Sequence, residues 1–222
     1  MADRRHYGQL CGLAAALDVA GERWTMLILH ELLTRPARFG EIADNLPGIG
    51  PNLLTDRLKH LTERGLIDSA PVPGDRRGKQ YRLTELGEAL RPTLESLAGW
   101  GTRVLTEADG AHGIGRPGWS FLALQAMIDD AQVPDAEESY EFRVDDEVFH
   151  VAVNGGRTLA RRGPADDPVL RVCADASTFM RIGAGISSPF DAMVGSELTI
   201  EGDPEAVRRC MRLIGLSTPS SP

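Results

Sequence analysis

Residues 47–65, PGIGPNLLTDRLKHLTERG, decide the fold because they join a tight turn to an amphipathic helix. Pro51 suits the first helical position, where its missing N–H costs nothing. A buried stripe is predicted from three leucines spaced four and three residues apart, Leu54, Leu58 and Leu61. Gly65 suits the position just after a helix. The stretch therefore predicts a helix from Pro51 to about Arg64 with one buried face.

The opposite face of this helix is polar. It carries Asn52, Thr55, Asp56, Lys59 and Glu63, with Arg57 on the flank. Asn, Arg and Lys side chains hydrogen-bond base edges and phosphates in a major groove. A solvated surface face has a similar composition, and Asp56 and Glu63 would repel phosphate. This helix alone therefore leaves both interpretations open.

The elements around this helix predict a winged helix-turn-helix. Helices are expected at residues 8–18, 22–33, 39–46 and 84–108, and strands at 66–70 and 79–83. Leu10, Leu13 and Leu17 are expected to form the buried face of the first helix. Short helices joined by a glycine turn, followed by a two-stranded hairpin, are the order of a winged helix-turn-helix.

The hairpin between the two strands has a basic tip, residues 71–78. The stretch Gly74–Arg82 holds four basic residues against Asp75 alone, a net charge of +3: Arg76, Arg77, Lys79 and Arg82. A basic finger of this kind can follow a minor groove or a phosphate backbone. A solvated charged turn is the alternative interpretation.

A linker is predicted at residues 109–118, DGAHGIGRPG, which contain four glycines and a proline. It separates two predicted domains, residues 1–108 and 119–222. In the second, strands are expected at 140–144, 148–153, 157–161, 169–174 and 197–202. Helices are expected at 119–131 and 175–184 and after the caps Ser188-Pro189 and Asp203-Pro204, with a frayed tail at 217–222. The fold class is thus α+β, with about five strands in the second domain.

Charge is divided between the halves of the chain. The whole chain of 222 residues has a net charge of −8, which is unusual for a nucleic-acid binder. Residues 1–105 hold 14 basic and 13 acidic side chains, a net +1, whereas residues 106–222 hold 10 and 19, a net −9. This division favours two domains with different partners.

Composition excludes several classes of protein. The longest uncharged runs, His6–Leu17 and Pro117–Ile128, have twelve residues each, whereas a membrane-spanning helix needs about 20. Three cysteines without a CxxC pair argue against a disulfide scaffold or a zinc ribbon. Arg4-Arg5 before a short apolar run weakly resembles a secretory signal, but Asp18 continues the helical pattern. We therefore expect a cytoplasmic protein without a membrane partner.

Ordered motifs in the first half resemble the HxlR-type winged-helix transcription regulators. The motifs, which span about residues 8–105, are GERWTMLIL (21–29), RF (38–39), LPGI (46–49), LLTDRL (53–58), GLI (65–67), YRLTELG (81–87) and WG (100–101). The resemblance implies a homodimer, formed through the first and last helices, that binds an inverted repeat in double-stranded operator DNA. The DNA-binding residues expected from it are Arg38, Asn52, Thr55, Arg57, Lys59, Arg76, Arg77 and Lys79.

Cys11 departs from the family pattern, because the family often has Cys-Pro where this chain has Cys11-Gly12. Some relatives use a cysteine at this point to sense electrophiles or oxidants. Reactivity requires an accessible thiolate with a low pKa. Leu10 and Leu13 predict burial, so a structural cysteine is expected, and a sensor remains the alternative.

The second half resembles the sterol-carrier-protein type-2 fold. The motifs, within about residues 119–215, are DPVLRV (167–172), Asp175, Phe179, Gly185, SPFDAMVG (188–195) and LTIEGD (198–203). The resemblance implies a tunnel for an apolar ligand between sheet and helices. The expected lining residues are Phe142, Phe149, Phe179, Met180, Ile182, Ile186, Phe190 and Met193. The alternative is that these residues simply form the core.

These observations predict a dimeric DNA-binding regulator whose C-terminal domain senses a small apolar ligand. The alternative is an apolar-ligand carrier in which the winged helix serves mainly for dimerisation. The basic hairpin favours the regulator, because a dimerisation unit has no need of an exposed arginine finger. No motif of a hydrolase, a nucleotide-binding enzyme or a metalloprotease is present. We therefore expect no enzyme activity, cofactor or metal.

Overall fold

The computed structural model describes residues 6–72, 75–106, 108–109, 113 and 115–216. Contacts divide the chain into two units, Met1–Leu94 and Glu95–Pro222. This division precedes the linker that the sequence predicts at 109–118. The predicted frayed tail lies outside the described residues. Within the described part of the chain, no helix is long and apolar enough to cross a bilayer.

The first unit has the element order of a winged helix-turn-helix. Its helices are α1 (Gly12–Ala20), α2 (Thr25–Thr34), α3 (Phe39–Asn45), α4 (Pro51–Glu63) and α5 (Glu85–Glu88). Its strands are β1 (Ala37–Arg38), β2 (Ile67–Val72) and β3 (Asp75–Leu83). They form an antiparallel sheet in the order β1-β3-β2. This arrangement confirms the predicted mixed α+β class and the winged fold of the first half.

The hairpin strands are longer than the sequence predicted. The pairing of β2 with β3 runs from Ile67 opposite Leu83 to Val72 opposite Asp75, with a shift in register after Pro71. Most of the predicted hairpin tip is therefore strand. The two-residue strand β1, which pairs with β3, was not predicted because two residues carry no alternating pattern.

The single helix predicted over 84–108 is wrong. Helix α5 ends at Glu88, and a separate helix, α6 (Arg91–Thr102), begins three residues later. Pro92 explains the break, because proline has no N–H to donate to the carbonyl of Glu88 and is tolerated only in the first turn of a helix. Gly87 fixes α5 in place, since a Cβ there would lie 2.1 Å from the carbonyl oxygen of Leu66.

The predicted buried face at the start of α1 is also wrong. Leu10 and Leu13 have relative exposures of 110% and 68%. Cys11 is the N-cap residue of α1 and is exposed. The backbone N–H groups of Ala14 and Leu13 at the start of the helix lower the pKa of the Cys11 thiol. The expectation of a buried, structural Cys11 therefore fails, because nothing in the described part of a single chain covers this end of α1.

The second unit is a two-layer structure of helices on a sheet. Its helices are α7 (Pro117–Met127), α8 (Ala176–Gly183), α9 (Pro189–Val194) and α10 (Pro204–Leu213). Its strands are β4 (Glu137–Val144), β5 (Glu147–Asn154), β6 (Arg157–Arg162), β7 (Leu170–Ala174) and β8 (Leu198–Gly202). A short 3-10 helix at Asp130–Gln132 replaces the predicted end of the 119–131 helix. Within the described residues these strands form a five-stranded sheet, as the sequence predicted.

The strand order is β6-β5-β4-β7-β8, and only the pairing of β4 with β7 is parallel. Alternate residues of the central strands face the helices and are buried: Tyr140, Phe142, Val144, Phe149, Val151, Val153 and Leu170. Four phenylalanine rings meet at the centre, with centroids 5.7–6.0 Å apart, Phe121, Phe142, Phe149 and Phe179. The core of this unit therefore lies between the sheet and helices α7, α8 and α10.

Candidate functional site

Helix α4 presents one buried and one exposed face, as its sequence predicted. Leu54, Leu58 and Leu61 are buried. On the other face, Asn52 and Thr55 are exposed, and both lie in the N-terminal half of the helix. The hydroxyl of Thr55 donates to the carbonyl of Pro51 over 2.9 Å.

Lys59, one turn further along this face, is also exposed. Its ammonium lies 3.9 Å from the Glu63 carboxylate. Because a surface ion pair at this distance is weak, Lys59 is available to an external anion.

The turn between α3 and α4 is braced by the segment before α2. Gly48 in this turn has φ +95°, a conformation that favours glycine. A Cβ on Gly48 would lie 3.6 Å from the Trp24 ring, so the indole packs closely against the turn. Trp24 itself has φ 77° and serves as N-cap of α2. The guanidinium of Arg23 lies 5.2 Å from the centroid of the indole ring.

Arg57 belongs to this brace. Its Nε donates to the carbonyl oxygen of Arg23 over 3.2 Å, and its guanidinium forms an ion pair with Glu22. The Arg57 side chain is only 18% exposed. The structure therefore places Arg57 in a contact that fixes α4 against residues 22–23. The sequence put Arg57 on the flank of the polar face, and the family resemblance implied a DNA contact for it.

The wing also holds some of its basic side chains in ion pairs. Arg38 donates to Asp75 over 3.0 Å, and Asp75 accepts from the N–H of Gly78. Arg82 donates twice to Asp68, over 2.7 and 3.0 Å, and this hydrogen bonding lowers the pKa of Asp68.

Three further basic residues of the wing lie on β3: Arg76, Arg77 and Lys79. Lys79 is exposed. The backbone of Arg76 and Arg77 lies in β3, and their side chains lie outside the described residues.

Glu22, Arg23, Trp24 and Asp75 are site residues to which sequence reasoning gave no role. The first three stand in the GERW motif, which carried the family resemblance but no contact. Asp75 is the single acid of the basic hairpin. The available signal for Asp75 was its position as a single acidic side chain among basic ones, because such a residue can form ion pairs with its neighbours.

The second unit contains a cavity between the sheet and its helices whose lining is wholly apolar. The lining residues are Met127, Phe142, Leu170, Val172, Phe179, Ile182, Gly183, Pro189, Leu198, Ile200, Val207, Cys210, Met211, Ile214 and Leu216. The volume of the cavity, counted as the space open to the centres of water-sized molecules, is about 50 Å³. Burial raises the pKa of the Cys210 thiol to about 12, so the thiol stays neutral.

The predicted lining residues separate into four groups. Phe142, Phe179 and Ile182 line the cavity, whereas Phe149 lies in the adjacent core. Met180 and Ile186 line a different crevice.

Phe190 and Met193 are 65% and 46% exposed and lie outside the cavity lining. Helix α9 buries Ala192, which turns these two neighbours outward. Sequence reasoning missed Met127, Met211 and Ile214, which reach the cavity from helices flanking the sheet.

Comparisons with known proteins agree with the geometry of the first unit. A family model described as HxlR-like helix-turn-helix matches residues 19–109. An uncharacterized HTH-type transcriptional regulator of Mycobacterium tuberculosis is 39% identical over 110 residues, which are 50% of this chain and 69% of the relative.

Similarity extends to Bacillus subtilis proteins. The HTH-type transcriptional regulator YodB is 31% identical over 97 residues, covering 44% of this chain and 87% of YodB. The solved structure of reduced YodB has a TM-score of 0.39 at 31% identity, covering 43% of this chain and 95% of that one.

The matched segment contains the whole α3-turn-α4 arrangement and the β2–β3 wing. The relatives named above are transcriptional regulators, and none is named as an enzyme. Asn52, Thr55 and Lys59 lie exposed on α4 within this segment. The chain therefore belongs to the HxlR-like helix-turn-helix family of DNA-binding transcriptional regulators.

Proposed function

We propose that the chain acts as a homodimer that reads an inverted-repeat operator and that an apolar ligand in the second unit changes its affinity for DNA. The wholly apolar cavity carries the ligand part of this proposal. The exposed polar face of α4 carries the DNA part.

Asn52 and Thr55 are proposed to read base edges, with Lys59 and the wing residues Arg76, Arg77 and Lys79 on phosphates. Asn52 and Thr55 lie in the N-terminal half of α4, and the N-terminal residues of a recognition helix contact the bases in other helix-turn-helix proteins. Arg57 is proposed as a positioning residue, because its guanidinium is taken up by Glu22 and Arg23.

Exposed apolar side chains on two helices support the homodimer. Near α1 they are Leu10 and Leu13, and on α6 they are Leu97 and Trp100. Monomeric proteins rarely leave such side chains grouped on a helix face, so a second copy is the partner we propose. A two-fold dimer matches the two-fold symmetry of an inverted repeat.

The ligand is proposed to be a hydrocarbon chain or a similarly slim apolar group with its polar end outside the cavity. The lining offers no hydrogen bond and no charge, so a polar group inside would lose its hydration without compensation. A ligand shifts the equilibrium between two conformations of a regulator only if it binds the two with different affinities.

Selection of DNA from a random duplex library by the full chain tests the DNA part. We expect an inverted repeat, and sedimentation of the purified chain is expected to show a dimer. Thr55→Ala should weaken binding to the selected site. Thr62→Ala is the matched control, because its hydroxyl makes the same bond to the carbonyl four residues back but lies at the far end of α4. An enriched site without repeat symmetry would contradict the proposal.

Thermal denaturation with octanoate, palmitate, cholesterol and N-phenyl-1-naphthylamine tests the ligand part. Binding at a concentration one hundred times the dissociation constant stabilises a protein by about 2.7 kcal/mol. The slim chains are expected to stabilise the second unit more than cholesterol does. A carrier without a regulatory role would bind these compounds with no selected DNA site.

A further inference from the structure

The two edges of the five-stranded sheet differ in what protects them. At one edge, Leu198 of β8 packs against Ala192 of α9. The other edge is β6, which pairs only with β5 among the described strands. An edge strand leaves backbone N–H and C=O groups open to pairing with another chain. Charged side chains, proline and bulges often prevent such pairing. Strand β6, RTLARR, contains no proline, and its arginines disfavour pairing with a strand that is not acidic.

One face of β6 points away from the helices. Phe149 points toward the helices and lies opposite Arg162, so Arg162 shares that face. The alternate residues of β6 therefore point to the other face: Arg157, Leu159 and Arg161. All three are exposed. Across the described residues, neither Arg157 nor Arg161 forms an ion pair. By contrast, Arg143, Arg162 and Arg171 of the surrounding strands are each paired with a glutamate.

The carboxylate nearest in register does not neutralise Arg161. Arg161 is in register with His150, and His150 with Glu141. Glu141 is buried and accepts hydrogen bonds from Arg143 and Arg171, each 2.8 Å long, and from the N–H of Ala165. The His150 ring bonds to the carbonyl of Gly163. The positive charge of β6 is therefore left for an external group.

Two occupants are disfavoured by charge. A second copy of β6 paired antiparallel about Leu159 would set Arg157 opposite Arg161 of that copy, and like charges directly opposite destabilise a sheet. DNA is opposed by the net charge of −9 over residues 106–222. An acidic peptide strand avoids the first objection, because its carboxylates would lie directly opposite Arg157 and Arg161. Unlike DNA, it can also bond to the open backbone N–H and C=O groups of the edge, and these contacts are set against the negative charge of the unit.

We propose that β6 is a docking edge for an extended acidic segment of another protein, which adds to the sheet as a sixth strand. Its residues would alternate so that two carboxylates meet Arg157 and Arg161 and an apolar side chain meets Leu159. Beside these residues lies an open concavity of about 700 Å³ lined by Ala152, Asn154, Gly155, Arg157, Thr158, Leu159 and Arg161. Backbone bonds provide affinity in strand addition, and alternate side chains provide specificity.

Fluorescence anisotropy of the full chain with a labelled peptide, Thr-Glu-Val-Leu-Val-Glu-Thr, tests this proposal. A peptide with lysine in place of glutamate should bind at least tenfold more weakly. A peptide with N-methyl groups at alternate residues keeps its charge but cannot extend the sheet, and its binding should be lost. Hydrogen exchange should show new protection of amides in residues 157–162 on binding.

The double substitution Arg157→Gln with Arg161→Gln is expected to weaken binding of the glutamate peptide at least tenfold. Arg212→Gln is the control, because Arg212 is an exposed arginine on α10. Equal binding of the lysine or N-methylated peptide overturns the proposal, as does the absence of any binding. Loss of DNA affinity in the double variant would assign the two arginines to DNA instead and would also overturn it.

Discussion

In the first unit the side chains available to a partner lie on the surface of α4, whereas in the second unit the available space lies inside, between sheet and helices. Arg57 of α4 and Arg38 of β1 are held in ion pairs within the unit. This leaves Asn52, Thr55 and Lys59 exposed. The difference teaches that a candidate DNA surface is found among the polar side chains that stay exposed, and a candidate ligand site where apolar surface stays unfilled.

The largest expected effect concerns the independence of the two units. Phe142→Ala removes a buried ring that also lines the cavity and should lower the free energy of unfolding of the second unit by about 3–5 kcal/mol. Affinity for the selected operator should stay unchanged without ligand. Urea denaturation followed by tryptophan fluorescence checks this, with exposed Val194→Ala as the control that should cost less than about 0.5 kcal/mol.

If Phe142→Ala also weakened operator binding in the absence of ligand, the two units would not be independent. That result would show that the first unit depends on the packing of the second.

Much of the first unit was predictable because its signals are local. The leucine stripe of α4 and the position of Pro51 need only neighbouring residues, and the structure places them as predicted. Arg57 was not predictable, because its partners lie 34 residues back and a long flexible side chain can reach outward or inward. The break in the predicted 84–108 helix follows from Pro92, whose missing N–H interrupts the backbone hydrogen bonds of a continuous helix.

In the second unit, alternation identified the strands, and Phe142, an expected lining residue, is buried on β4. The sequence could not place Phe190 and Met193, because α9 has six residues and too few turns to show a periodic face. The lining contributed by α7 and α10 depends on how separate helices pack on the sheet. That packing is a tertiary property with no local pattern.

The next effect concerns a buried charge on the outer face of the second unit's sheet. Burial raises the pKa of Glu141, but hydrogen bonds from Arg171, Arg143 and the Ala165 N–H outweigh it and lower the pKa from 4.5 to about 2. Since the folded pKa lies below the unfolded one, the stabilisation is present above about pH 4.5 and is lost as the pH falls toward 2.

Glu141→Gln should therefore cost about 2 kcal/mol at pH 7, and the free energies of unfolding of variant and wild type should converge in acid. Urea denaturation between pH 7 and 3 measures this. Glu201→Gln is the control, because Glu201 is exposed and lies 3.8 Å from Arg171. A loss that does not change with pH would show that shape, and not charge, matters at position 141.

A smaller effect tests the proposed base contact of Asn52 on α4 in the first unit. Asn52→Ala should cost about 1–3 kcal/mol on the selected operator and little on random duplex, because a base contact is sequence-specific. Titration of both duplexes by fluorescence anisotropy at one salt concentration measures the difference. Equal losses on both duplexes would mean that Asn52 touches only the backbone.

The smallest effect separates Arg57 from Lys59. Lys59→Gln should reduce the slope of log affinity against log salt by about 0.9, the value for one phosphate contact. Arg57→Gln should weaken binding with the slope unchanged, because Arg57 positions α4 through Glu22 and Arg23. A shallower slope in the Arg57 variant would place its guanidinium on a phosphate.

The most direct test of the proposed function is the dissociation constant of the full chain for its selected operator, measured with and without saturating palmitate. The wild type should change its affinity at least fivefold, which corresponds to a coupling of about 1 kcal/mol. Ile182→Trp, which fills the cavity from α8, should bind operator normally and show no response. An unchanged wild-type dissociation constant, with palmitate binding confirmed by calorimetry, would contradict the account.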